Sequence, residues 1–143
     1  LVEESEFIYV LETNGMILGN DPEYAQALSK YKRLHVRVSI KGDNPELYHE
    51  LTGAHPDSYE LPYKAIANLI EAGVSFNACL MASFSDEEGI KRVKGKLIDM
   101  HPGILKSLEI ERITMFPKVA ERLSKKGIKP LRAKRLNHKR EKK

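Results

Sequence analysis

Leu34-His35-Val36-Arg37-Val38-Ser39-Ile40-Lys41-Gly42 alternates apolar and polar residues along most of its length. Side chains point to opposite faces of a strand in turn, so Leu34, Val36, Val38 and Ile40 fall on one side. His35, Arg37, Ser39 and Lys41 fall on the other. The surrounding segments read as strands and helices in alternation, a pattern whose central strands are normally apolar on both faces. A row of polar groups inside such a sheet needs partners. The C-terminal end of a strand in an α/β protein is where a ligand supplies them.

Outward from this strand, the chain punctuates itself clearly. Phe7 to Leu11 is a continuous apolar run, read as a strand buried on both faces and ended by Thr13-Asn14-Gly15. Asn20-Asp21-Pro22 starts a helix reaching about Tyr31, and Asp43-Asn44-Pro45 starts another, closed by Gly53. Ser58 to Ala72 reads as a longer helix with Leu61, Ala65, Leu69 and Ala72 on one stripe. Val74 to Met81 is the third strand. Ser85 to Glu88 reads as a capping box opening a helix to about Asp99. Leu108 to Phe116 is the fourth strand, and Pro117 to about Lys126 the last helix. Strands alternating with helices imply parallel pairing through crossovers. The expected fold class is α/β: a partial (β/α) barrel of about four parallel strands with intervening helices, over residues 1–128.

The remaining residues, 129–143, form a basic tail. They hold eight cations against Glu141, a net +7, which leaves −3 of the total +4 for residues 1–128. The body is mildly acidic. The tail suggests nucleic acid as a partner, against the alternative of a solubilising end.

A chain of 143 residues supports one domain with a real core. No apolar run is long enough to span a membrane, and Glu3, Glu4 and Glu6 stand where a secretory signal would be basic. The start at Leu1 rather than Met reads as a fragment, a processed product or a chain lacking its beginning. Cys79 is the only cysteine, which excludes a disulfide framework and favours the cytoplasm. One thiol cannot hold an iron–sulfur cluster or a structural zinc unaided. Abundant Lys and Glu with a single glutamine, Gln26, leans toward a heat-adapted source.

The residues that could carry chemistry lie at strand ends. Lys41 is a point charge suited to a carboxylate or phosphate, and Ser39 a neutral hydrogen-bonding group. The alternative is a water-exposed face of an open sheet. Asn77 and Cys79, on the next strand, would share that face. A buried structural thiol is the ordinary role for Cys79, whereas a buried amide at Asn77 needs partners. His35, His49, His55, His101 and His138 show no metal-ligand spacing, and solvated or capping roles are expected for them. Phosphate loops, nucleophile elbows and Cys-x-x-Cys pairs are missing from the sequence.

Glu12-Thr13-Asn14-Gly15 ends one strand and Ser39-Ile40-Lys41 the next. His49 and Leu51-Thr52-Gly53 follow, then Asn77, Ser83-Phe84-Ser85-Asp86-Glu87-Glu88 and Met115-Phe116-Pro117. In this order the pieces resemble the second part of the radical S-adenosylmethionine (SAM) barrel, over about Phe7 to Gly127. The likeness is to the enzymes that activate pyruvate formate-lyase and their single-domain relatives. The resemblance implies that strand ends contact SAM, with Thr13 and Asn14 near the cofactor. Ser39 and Lys41 would touch its polar groups, and Asn77 would lie near its ribose or carboxylate. It implies a full protein that cleaves SAM reductively on a 4Fe–4S cluster to a 5′-deoxyadenosyl radical.

The departures limit what this chain does alone. The family's Cys-x-x-x-Cys-x-x-Cys and Gly-Gly-Glu motifs are absent, Asn77 replaces an arginine, and Val119 stands where a histidine often follows the proline. Without three thiolates the chain is expected to be inert, because the cofactor carries the radical chemistry. The expected partner is the other half of the barrel, from the same parent protein. Exposed sheet edges also predict a homo-oligomer. The alternatives are a non-enzymatic α/β binding module using its tail on nucleic acid, and a fragment of another barrel family.

Overall fold

β1 (Tyr9–Thr13), β2 (Leu34–Lys41), β3 (Phe76–Met81) and β4 (Glu109–Glu111) form one sheet in the order β1-β2-β3-β4, every neighbour parallel. The structure is a computed structural model, and it describes residue 4 and residues 6–134. The strand order follows the sequence and never reverses. The helices between strands therefore contribute to one core rather than to two.

That core lies on the apolar side of β2 and β3. Val36, Val38, Ile40, Ala78 and Leu80 are fully buried there. They pack with Ala65, Ile66 and Leu69 of α4 (Leu61–Glu71) and with Val93 and Leu97 of α5 (Glu87–Met100). Leu18 of α1 (Met16–Asn20) and Ala25 of α2 (Pro22–Leu28) close one end, and Tyr48 of α3 (Pro45–Thr52) lies above the strand ends. Each of the large aliphatic side chains contributes about 1.5–3 kcal/mol by leaving water.

Several elements differ from the expectation. The apolar run at Phe7 to Leu11 is not buried on both faces. β1 is an edge strand, and Phe7 and Ile8 are 75% and 72% exposed, with Tyr9, Val10 and Leu11 also exposed. An apolar run marks a central strand only where a neighbour covers it, and among the described residues β1 pairs on one side alone. The Ser58 helix begins instead at Leu61, after a 3-10 turn at Pro56–Glu60, because Pro62 supplies the fixed φ of a first turn. The cap of α5 is Asp86, whose carboxylate accepts from Gly89 N at 2.7 Å. Ser85, read as the cap, is buried, and its hydroxyl has no hydrogen-bond partner among the described residues.

The fourth strand divides. Ile113 N donates to the buried Ser83 Oγ at 2.7 Å, which draws the chain away after Glu111. β5 (Ile113–Thr114) then pairs in parallel with β6 (Ala133–Lys134). Ser83 O also accepts from Leu131 N at 2.7 Å, and Arg132 pairs with Glu87. Residues 131–134, assigned from sequence to the tail, are thus bonded to the body. The rest of the tail, 135–143, lies outside the described residues. α6 (Pro117–Lys125) connects β5 to β6. No helix among the described residues is long and apolar enough to cross a membrane.

Candidate functional site at the strand ends

The polar side of the sheet is organised by Arg37. Its register places it between Glu12 on β1 and Asn77 on β3. The guanidinium donates from Nη1 to Glu12 Oε1 at 3.0 Å and from Nε to Glu109 Oε2 at 3.1 Å. Nη2 reaches Glu109 Oε2 at 2.7 Å, Glu111 Oε1 at 2.5 Å and Cys79 Sγ at 3.1 Å. A planar fork of donors suits this arrangement, where a lysine could reach only part of it. The same contacts hold the Glu109 and Glu111 carboxyls below their ordinary range, chiefly through hydrogen bonds from Arg37. They also raise the Arg37 pKa further.

Asn77 finds its partners within the chain. Its Nδ2 donates to Glu109 Oε1 at 2.9 Å, and its Oδ1 meets His35 Nε2 at 2.8 Å. His35 Nδ1 in turn meets Ser75 Oγ at 2.8 Å. Cys79 is fully buried, and desolvation, with Glu111 beside it, pushes its thiol up to about 12. Cys79, Glu109 and Glu111 offer ligand atoms within 4.8 Å of one another. The Arg37 guanidinium already bonds to all three residues, so a cation there would have to displace it.

Further along the strands, Thr13, Asn14, Ser39 and Lys41 come together. They line a groove of about 620 Å³ with Glu12, Arg37 and Glu111. Asn14, Ser39 and Lys41 also line a second recess of about 340 Å³, walled by Met16, Tyr48, Leu51 and Pro62. Both volumes fall in the range of small-ligand sites. Ser39 Oγ and Lys41 Nζ form no hydrogen bond or ion pair within the described residues.

The turn beneath them is fixed locally. Thr13 Oγ1 accepts from Gly15 N at 3.1 Å and Asn14 Oδ1 from Met16 N at 3.1 Å. Gly15 has φ +77°, and a Cβ there would meet Pro62 Cα at 2.8 Å. Gly19 approaches α4 even more closely, since a Cβ would meet Leu61 O at 2.0 Å. Asn68 Nδ2 donates to Leu18 O at 2.7 Å, tying α1 to α4. The short α1, unmarked in the sequence reading, is what seats this turn.

Four of the five residues singled out from sequence therefore share one site, and Asn77 stands apart in the Arg37 network. Sequence reading passed over Glu12, Glu109 and Glu111 as partners of Arg37. The signal was present as one carboxylate on the neighbouring β1 and two on β4, on the same polar face as the arginine, but only the register reveals it. His55 and His101 take local capping roles, His55 Nδ1 accepting from Asp57 N and His101 Nδ1 from Gly103 N, whereas His35 instead bridges Ser75 and Asn77, and His138 lies outside the described residues. No protein-family model, curated protein or solved structure matches this chain.

Proposed function

We propose that this chain forms the SAM-binding side of a radical SAM enzyme, as part of a (β/α) barrel. One observation carries the reading. Among the described residues the Ser39 and Lys41 side chains have no hydrogen-bond or ion-pair partner, and they stand where a polar groove meets an apolar-walled recess, at the C-terminal ends of parallel strands. SAM has the matching two-part chemistry: a charged amino-acid and sulfonium portion and a flat adenine. Lys41 would take the carboxylate, Ser39 a ribose or carboxylate oxygen, and Tyr48 and Leu51 the base. An unreversed strand order supports the barrel, since a doubly wound sheet changes direction.

The 4Fe–4S cluster does not fit this chain. Its single thiol is buried under Arg37, and the three thiolates would come from residues other than these. This chain would bind and orient SAM, with its polar end at Lys41.

The test is a titration of the full chain with SAM followed by amide chemical shifts. Movement at Thr13, Asn14, Ser39 and Lys41 is expected. Lys41→Met should weaken binding by roughly ten-fold, about 1.4 kcal/mol, without lowering the melting temperature. Unmoved shifts at millimolar SAM, or an affinity indifferent to Lys41→Met, would sink the reading.

A further inference from the structure

The division of the fourth strand opens a second groove, of about 630 Å³, between β4, β5 and β6. Its lining includes Arg112, Thr114, Phe116 and Lys134, and also Glu109 and Glu111. Those two carboxylates are already bonded to Arg37, whereas Arg112 and Lys134 form no ion pair within the described residues. Phe116 is 52% exposed. An aromatic ring in one groove with two cations is the local arrangement that stacks a base and holds the phosphates beside it.

The charge continues beyond the groove. Phe116 is the N-cap of α6, and Lys118, Arg122 and Lys126 recur at a spacing of four along one face. All three are exposed, and Lys125 joins the same stripe while pairing with Glu121 at 2.6 Å. Lys129 follows. From Arg112 to Lys134 the chain carries eight cations and one anion, although the protein as a whole has a net charge of only +4.

We propose that the groove around Phe116 and the basic stripe of α6 together bind single-stranded nucleic acid. A base would stack on Phe116, with flanking phosphates on Arg112 and Lys134 and the strand continuing along Lys118, Arg122 and Lys126. A single strand fits better than a duplex, because stacking on a side chain needs an unstacked base. A membrane surface fits less well, because the apolar residues of α6, Val119, Ala120 and Leu123, are half-buried rather than presented outward as a broad apolar face. The groove shares Glu111 with the groove of Ser39 and Lys41, so a strand bound here would run up to that site.

Fluorescence anisotropy tests this with the full chain and a labelled single-stranded RNA of roughly 12 nucleotides, its DNA counterpart and a duplex. About five phosphate contacts predict an affinity that falls about 100-fold between about 50 and about 200 mM salt. Arg112→Glu with Lys134→Glu should weaken binding at least about ten-fold and flatten the salt dependence. Phe116→Ala should weaken it about five-fold or more with the salt dependence unchanged, a combination that lost charge cannot produce. Unchanged melting temperatures confirm that the variants fold, and Lys118→Gln with Arg122→Gln gives a second, surface-only variant. Comparable single-strand RNA and DNA affinities would support the proposal, as would a preference for either one. Absent binding at low salt, equal affinity for the duplex with a neutral Phe116→Ala, or binding only to anionic vesicles would overturn it. SAM titration is read separately, so loss of one activity leaves the other legible.

Discussion

Arg37 on β2 reaches Glu111 on β4 at 2.5 Å, across the whole width of β3. The same guanidinium holds Glu12 on β1, so one side chain ties all four strands together on the face opposite the core. The Arg37 side chain is 18% exposed, while its carboxylate partners are 39–70% exposed. Solvent at the carboxylates screens the pairs, which places their value between surface and buried bridges.

Arg37→Met should therefore destabilise the fold by roughly 1–3 kcal/mol at pH 7, because three carboxylates lose their common cation. The pH dependence has a definite sign. Glu109 and Glu111 have lowered native pKa values, so their contribution is complete above the unfolded glutamate value of about 4.3. It is lost as pH falls through the lowered native values. Urea denaturation at pH 7 and pH 3 checks this: the wild-type advantage over Arg37→Met should shrink in acid.

Cys79 should resist alkylation in the native protein at pH 8 and react readily in urea. Its native pKa of about 12 leaves little thiolate, and the sulfur is fully buried. Because the folded value exceeds the unfolded value of about 8.5, the contribution to stability is complete below that pH. It declines as pH rises toward the native value. Rapid labelling by iodoacetamide without denaturant would contradict the burial.

Gly19→Ala should destabilise by about 1–3 kcal/mol, although alanine is the better helix former. The added methyl would collide with Leu61 O, and separating α1 from α4 would disturb the turn at Thr13 and Asn14. Weaker SAM-induced shifts alongside a lower urea midpoint are expected.

Asp86→Ala should cost about 1 kcal/mol as a lost helix cap, whereas Ser85→Ala should be neutral or slightly stabilising. The Ser85 hydroxyl is buried without a partner among the described residues, so its removal relieves an unmet hydrogen bond. Equal losses in thermal unfolding of the two variants would restore Ser85 as a cap.

Local chemistry made much of this fold readable. Asp21-Pro22 and Asn44-Pro45 start helices where a side-chain acceptor precedes a proline, and both caps form. Strict alternation identified β2 and its polar side. The misread parts depend on distant partners. Phe7 to Leu11 is apolar enough for a central strand, and only pairing decides that it is an edge. The break after Glu111 comes from Ser83, thirty residues earlier in the chain. Thr13, Asn14, Ser39 and Lys41 line one groove because they lie at or next to the ends of two paired strands, a placement that the sequence pattern already carries. Asn77 shares the face, but the lateral pull of His35 and Glu109 holds it in another network.

The turn at Thr13 and Asn14 closes through hydrogen bonds spanning only two residues each, backed by Gly15 against Pro62. Its shape follows from its immediate neighbours and needs no ligand to complete it. Binding at this end of the sheet would then freeze few backbone dihedrals. The loss of conformational entropy would fall mainly on the Lys41 side chain, which is exposed and has no partner among the described residues to hold its rotamers.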